Sequence, residues 1–493
     1  MNIIKPSTFT LFILVLVTLI PFQSVHASEY SQPGFYDVHH YVLENGLRVS
    51  LKPRHLARNV SIRLLVNIGH DHFTCGKRET AYFLEHLLFT GTSKNSENEL
   101  DDIIESHGGG WNAKTSTDYT MYEIDIYNKY MDVALNVLNE IITDSVLSTE
   151  DVEKSRNIIN REAGGRPSEL RNWLHEKGVI ASSLKLAMKD LLPNRRVCDG
   201  IDQSTSVTRE DIVSAYKTYY IPNNMTLSIV GDFDIASATK LIKDTMGLMK
   251  KDETTKRYVI PIPETNKSLD TTKVYEGQFS PLFGTDTTVY QIYRIPSDRH
   301  KDFFVFEVLE EYFNREMYQL LRVEKGLAYS PGAESGMFPT FGIFLLATDS
   351  EIEHANTNIT LISQIIEKFK KGDLNQDELN ETKQKILLGA ARGYETNQDF
   401  AEYYANNDYE IKELGALINY EVGVEKVTLA DIQRVSLKYF NEDNRVIAIT
   451  SPTLTYTQLY SLIIVMIAII SLLTWRMVLR FRRKGNKKNV EYL

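Results

Sequence analysis

The sequence predicts an α+β protein of two homologous domains, each a mixed β-sheet with helices packed on one face, followed by a C-terminal transmembrane helix. Residues 207–230 line up without a gap on residues 427–450, so one structural unit occurs twice. Alternating strand-like stretches interleave with stretches of helical period in both copies. A predominantly apolar run without charges occupies residues 459–475. The 493 residues, 43% hydrophobic and 24% charged, suffice for more than one packed core and exclude a disordered tail or a disulfide miniprotein. A formal net charge of -10 argues against a nucleic-acid partner, which would need clustered Lys and Arg on the folded part.

In chain order, Lys5, the apolar stretch 9–20, Pro21 and the small-residue pattern ending at Ala27 read as a signal peptide over 1–27. An N-terminal domain is expected over 36–250, with strands at 60–68 and 120–127 and helices at 79–89, 131–143 and 151–161. Residues 251–281 mix charges, prolines and threonines without periodicity and read as a linker. The second domain is expected over 282–452, with strands at 289–295 and 342–348 and helices at 303–321, 357–369 and 378–388. The span at 459–479, long enough to cross about 30 Å of hydrocarbon, precedes a basic tail over 480–493. With a leader ahead of it, this places the large domains outside the cytoplasm, in the periplasm of a Gram-negative host. Only Cys75 and Cys198 occur, which leaves one possible bridge and no disulfide framework.

The duplicated unit carries its own signature. Thr208 and Thr428 each stand three residues before an Asp, 211 and 431, at a helix start, and each helix leads through a turn with Asn224 or Asn444 into an apolar strand. A weaker echo pairs LSTEDVEKSR from Leu147 with LNQDELNETK from Leu374. The triple glycine 108–110 reads as a turn before a strand, since no phosphate-binding Lys-Ser/Thr follows it, and the Tyr-rich segment around Tyr403 reads as core.

One segment has the spacing of a reaction centre. In ETAYFLEHLLF, Tyr82, Glu85 and His86 are three and four apart and share a helix face. Here the sequence resembles the insulinase/pitrilysin family of inverted zinc peptidases, whose signature is His-x-x-Glu-His. The likeness extends through FLEHLLFTGTSK, NELDDIIESHGGGWNAKTSTDYTMYE, LSTEDVEKSRNIINRE and RVEKGLAYS, in the family's order, over roughly residues 40 to 450. It implies that His86 and Glu162 are zinc ligands and that Glu85 is the general base acting on a zinc-bound water. It also implies that Asn112 and Ala113 lie on an edge strand that holds peptide by β-augmentation. Arg322 and Tyr329 match the pair that the family's C-terminal domain directs at the substrate carbonyl.

Two positions depart from the pattern. Tyr82 stands where the first zinc His belongs, and Ser155 where the family has a carboxylate two turns before the third ligand. Ionising a phenol at pH 7 from its reference pKa of about 10 costs roughly 4 kcal/mol, so Tyr82 is a poor ligand. Three readings follow. The chain is a zinc endopeptidase in which Tyr82, or His70 or His72, completes the metal site; or it is a silent subunit that supplies Arg322 and Tyr329 to a partner; or it is a peptide-binding module. The resemblance implies peptide substrates and a homodimer or a heterodimer with a second family member, because two domains form only half of the family's chamber.

Overall fold

Thr208 and Thr428 play matching parts. Each side chain accepts from the amide three residues on, and the carboxylate there, Asp211 or Asp431, accepts from the Thr amide in return. The two bonds satisfy donors that a helix start would leave orphaned. At the far end of each helix an asparagine ties the turn to a neighbouring strand. Asn224 Nδ2 donates to the carbonyls of Tyr219 (3.0 Å) and Asn67 (3.2 Å), and Asn444 Nδ2 to those of Tyr439 and Arg294, both at 2.7 Å.

Around this unit the computed structural model describes residues 34–162, 164, 168–170, 173, 182–192, 206–251, 274–278, 283–339 and 341–488. The N-terminal half contains β1 (His39–Val42), β2 (Arg48–Pro53), β3 (Asn59–Val66), α1 (Thr80–Leu87), α2 (Glu97–Ser106), β4 (Gly110–Thr115), β5 (Thr120–Tyr127), α3 (Met131–Asp144), α4 (Thr149–Glu162), α5 (Ser183–Leu191), α6 (Arg209–Tyr219), β6 (Met225–Gly231) and α7 (Ile235–Asp244). The C-terminal half contains β7 (Val274–Gln278), β8 (Asp286–Ile295), α8 (Phe303–Met317), β9 (Gly332–Phe338), β10 (Phe341–Glu351), α9 (Ala355–Lys371), α10 (Gln376–Gly393), α11 (Asn397–Asn406), α12 (Asp408–Leu414), α13 (Tyr420–Glu425), α14 (Leu429–Tyr439), β11 (Arg445–Ser451) and α15 (Tyr456–Lys488).

The sheets run β1-β2-β6-β3-β5-β4 and β7-β11-β8-β10-β9. Apart from the extra β1 they repeat one another, including the single parallel pair, β2 with β6 and β7 with β11. Strand β7 lies inside the stretch expected as linker. Its five residues are too short to show a period, and its pairing with β11 defines it.

The expectation of helices on one face needs correction. Helices α1, α3, α6 and α7 cover one face of the first sheet, where Val60, Ile62, Leu64 and Val66 join their core. The other face is apolar too, and α11 from the C-terminal half covers it. Phe400, Ala401 and Tyr404 pack with Phe35 and Val230, while Ala405 meets Leu65 and Met121. Reciprocally, Ala187 and Leu191 of α5 pack on Ile292, Val446 and Ala448 of the second sheet. Each half thus lends a helix to the other, because a sheet with two apolar faces needs two covers.

Within α15, Tyr456–Arg480 is long and apolar enough to cross a membrane, and none of it is buried. Cys75 is disulfide-bonded. Cys198, the leader expected over 1–27, most of the expected linker and the last residues of the basic tail lie outside the described residues.

Candidate active site

Helix α1 is set by Ala81, Phe83, Leu84 and Leu87, all buried against the core, which turns Tyr82, Glu85 and His86 towards the end of α4. Two neighbouring elements hold the site from the sides. Edge strand β4 passes α1, and Thr115 at its end donates to Glu85 Oε2 at 2.5 Å. The loop carrying His70 is pressed onto the turn after β4. A Cβ on Gly69 would fall 2.5 Å from both the Asp118 amide nitrogen and the Ser116 carbonyl oxygen, so only glycine fits there.

The structure brings Tyr82, His86 and Glu162 together. The Tyr82 hydroxyl donates to Glu162 Oε2 at 2.6 Å. His86 Nε2 stands 3.5 Å from the same oxygen, and it is buried without a hydrogen bond. The rings of Tyr82 and His86 meet edge to face with centroids 4.7 Å apart. Burial, the bond to Glu162 and then the charges of Glu162 and Glu85 push the phenol well above its ordinary range, so it keeps its proton. Burial pushes the Glu85 carboxyl up to about 7, opposed by the Thr115 bond and reinforced by Glu162. Burial also lowers His86.

These residues do not fit a zinc centre of the hydrolytic kind, which needs three protein ligands and an open position. His86 and Glu162 are spaced as two ligands of one ion would be, but the third donor is a protonated phenol whose hydrogen already occupies Glu162. Nor do Glu85, His86 and Glu162 converge. Among the described residues, the three such groups whose ligating atoms lie within 4.8 Å of one another are Glu351, Glu353 and His354, on the surface. The Nδ1 atoms of the replacement ligands considered from sequence face other partners. His70 approaches Tyr82 with a centroid distance of 6.3 Å, but its Nδ1 faces the Arg78 carbonyl oxygen at 3.1 Å. His72 accepts from the Gly69 amide through Nδ1 and lies against Tyr219. Ser155 is buried in α4.

Asn112 and Ala113 lie on β4, which among the described residues pairs only with β5 and forms the rim of its sheet. An edge strand is the element that can receive an added strand through main-chain bonds. Arg322 and Tyr329 lie in the other half, and among the described residues no hydrogen bond, ion pair or ring contact joins them to α1 or Glu162. Sequence reasoning missed the way they are built. Helix α8 does not stop at Met317 but widens over Tyr318–Glu324 into i→i+5 turns, a rare form frequent at functional sites. Arg322 on this turn stacks between Tyr318 and Tyr329, 5.2 and 4.4 Å from the ring centroids, and donates to the Tyr329 carbonyl at 2.6 Å. Asp349 accepts from the amides of Tyr329 and Ser330, and the Tyr329 side chain is left 71% exposed.

Comparison with known proteins matches two family models. Residues 48–188 fit the insulinase family, peptidase family M16, and residues 206–386 fit the M16 inactive domain. The zinc protease PqqE of Helicobacter pylori is 25% identical over 453 residues, covering 87% of this chain and 95% of its own. A probable mitochondrial-processing peptidase subunit beta of Arabidopsis thaliana is 28% identical over 214 residues, 43% of this chain and 39% of its own. The first half of the periplasmic protease PqqL from Escherichia coli superposes with a TM-score of 0.65 at 17% identity, covering 84% of this chain and 91% of the other.

Proposed function

This chain belongs to the insulinase family of peptidases, M16, and from that premise we propose that it is an exported, membrane-anchored, peptide-enclosing subunit, silent in zinc hydrolysis, that supplies Arg322 and Tyr329 to a partner chain. One observation carries the reading. The Tyr82 hydroxyl donates to Glu162, so the position of the first metal ligand holds a proton donor. The stacked Arg322 and Tyr329 retain the groups that stabilise a developing oxyanion, since the guanidinium has five N–H donors and spends one on the Tyr329 carbonyl. The rim of β4, with Asn112 and Ala113, offers main-chain bonds to an extended peptide. Glu85, without an activated water to deprotonate, is left as a buried carboxyl bonded to Thr115. The apolar helix over Tyr456–Arg480, the leader-like N terminus and the periplasmic location of the PqqL relative support membrane anchoring on the exported side.

The test is reconstitution with a family member bearing an intact His-x-x-Glu-His. Arg322→Ala should then lower kcat/KM of the complex by about 100-fold, the usual cost of one oxyanion donor. Unchanged activity rejects the donation of Arg322. Zinc content tests the silent site: the unaltered chain is expected to hold far less than one equivalent, and Tyr82→His close to one. A full equivalent in the unaltered chain favours a working zinc endopeptidase instead.

A further inference from the structure

Strand β9 pairs with β10 from Phe338 opposite Phe341 to Gly332 opposite Ala347, and there the ladder stops. The residue before Gly332 is Pro331, which has no amide hydrogen to give. Strand β10 runs on, paired with β8 as far as Glu351. Continued by two residues, the register of β9 sets Ser330 opposite Asp349. At that place a side chain takes over from the ladder. The Asp349 carboxylate accepts from the Tyr329 amide at 3.1 and 3.0 Å through its two oxygens, and from the Ser330 amide at 2.6 Å. Bonds from amides to a carboxylate are charge-assisted and roughly twice as strong as neutral ones. The base is rigid as well, since Asp349 sits on an 11-residue strand paired along its length.

The Tyr329 main chain is held from its other side too. Its carbonyl accepts from Arg322 Nη1 at 2.6 Å, and the guanidinium lies 4.4 Å from the Tyr329 ring centroid and 5.2 Å from that of Tyr318. Arg322 therefore leans on Tyr329 twice, through the ring and through the carbonyl. The connection between them turns at Gly326, whose φ is +64°, and the Leu327 amide ties it back to the Leu321 carbonyl at 2.8 Å. Beyond that tie the exposed end, Tyr329 and Ser330, is fixed by Asp349.

We propose that Asp349 is the positioning residue of the Arg322–Tyr329 pair. It fixes the Tyr329 main chain, and with it the ring and the carbonyl that hold the guanidinium, so that the remaining N–H groups and the phenol meet one substrate carbonyl. The proposal rests on the reading that this pair is donated to a partner chain. A carboxylate acting in this way touches no substrate, so its loss should spare substrate binding and slow the chemical step.

The experiment uses the full chain in detergent, reconstituted with a family member bearing an intact His-x-x-Glu-His and assayed on a fluorogenic peptide which that partner cleaves. Asp349→Ala should lower kcat about tenfold and leave KM within about twofold of the parent, as expected for misplaced donors. Asp349→Asn keeps an accepting oxygen without the charge and should lose only about threefold. In an Arg322→Ala background Asp349→Ala should cost no more than about threefold, because only Tyr329 is left to position. A second measurement needs no partner. Phenylglyoxal modifies accessible guanidinium groups, and mass spectrometry of the chain alone should find Arg322 modified several-fold faster in Asp349→Ala than in the parent.

The two readouts separate the two ways of failing. If Arg322→Ala leaves the activity of the complex unchanged, the donation reading falls, and the modification rate alone judges the hold of Asp349 on Arg322. If Arg322→Ala is impaired while Asp349→Ala keeps the parent kcat, raises KM instead, or costs the full loss again without Arg322, the proposal is overturned. An unchanged modification rate at Arg322 overturns it as well. Should Asp349→Ala fail to fold, Asp349→Asn carries the same comparisons with its smaller loss.

Discussion

In the N-terminal half, the short helix after the third strand, α1, brings Tyr82, Glu85 and His86 to the end of α4. In the C-terminal half the helix at the same topological place, α8, is longer, carries no such cluster, and unwinds into the wide turn that bears Arg322. Apart from the extra β1 the sheets beneath are alike, and so are the capped helices Arg209–Tyr219 and Leu429–Tyr439. The difference teaches where constraint acts. Sheet order, caps and the Asn224 and Asn444 ties are held by burial and by backbone groups that must be bonded. The outward positions of α1 carry no such duty. Phe83 and Leu84 fix the helix whether residue 82 is histidine or tyrosine, so a ligand can be exchanged for a hydroxyl donor with the fold intact.

The largest effect should come from breaking the reciprocal exchange of helices. Phe400 on α11 is 2% exposed, packs with Phe35 and lies under the Arg54 guanidinium at 3.9 Å. Phe400→Ala should cost about 3–5 kcal/mol, and Leu191→Ala on α5 about 2–5 kcal/mol. Paired denaturant melts check this. If the halves fold independently of the lent helices, each variant will leave the opposite half's transition unmoved.

This exchange marks the limit of what the sequence discloses. The duplicated unit was legible because a Thr, an Asp three residues on and an Asn in the following turn are local hydrogen-bonding patterns. The face holding Tyr82, Glu85 and His86 was legible because helical period decides it. Periodicity identifies the Tyr-rich segment around Tyr403 as buried, but not that it lies on the first sheet, since either apolar face could have received it. The wide turn at Tyr318–Glu324 has no compositional mark, and a cavity of about 630 Å³ between the halves, with Asp118 and Asp298 on its wall, draws its lining from segments far apart in the chain.

The seam between the halves should respond to pH. Asp298 has its pKa raised to about 6, above the usual carboxylate value, so protonation favours the folded state. Its contribution is present in full below the unfolded pKa, near 4, and is lost as pH rises through about 6. The melting temperature of the parent relative to Asp298→Asn should therefore rise as pH falls from 7 to 5. A difference that stays flat across this window means Asp298 is better solvated than its burial implies.

A smaller effect compares the two asparagine ties. Each loses two bonds to backbone carbonyls on conversion to alanine, and Asn224 is the more buried. Asn224→Ala should cost about 1–3 kcal/mol, and Asn444→Ala should fall at the lower end of that range, because water can reach the carbonyls it abandons. Equal losses would mean that the second tie is sealed from solvent as well as the first.

The smallest difference should appear at the caps, where the halves are most alike. Thr208→Ala and Thr428→Ala each remove one acceptor from a helix start and should each cost about 1 kcal/mol. The Asp partner sharpens the comparison. Asp211 is also paired with Lys77 at 2.6 Å, next to the disulfide-bonded Cys75, whereas Asp431 is held by Arg434 from its own helix, at 3.0 Å. Thus Asp211→Ala should cost more than Thr208→Ala, because it also frees the loop leading into α1. Asp431→Ala should match Thr428→Ala more closely, since Arg434 keeps its second carboxylate, Asp302, at 2.8 Å. Equal costs for the two Asp variants would show that the link from Lys77 to Asp211 does not brace the loop that positions α1.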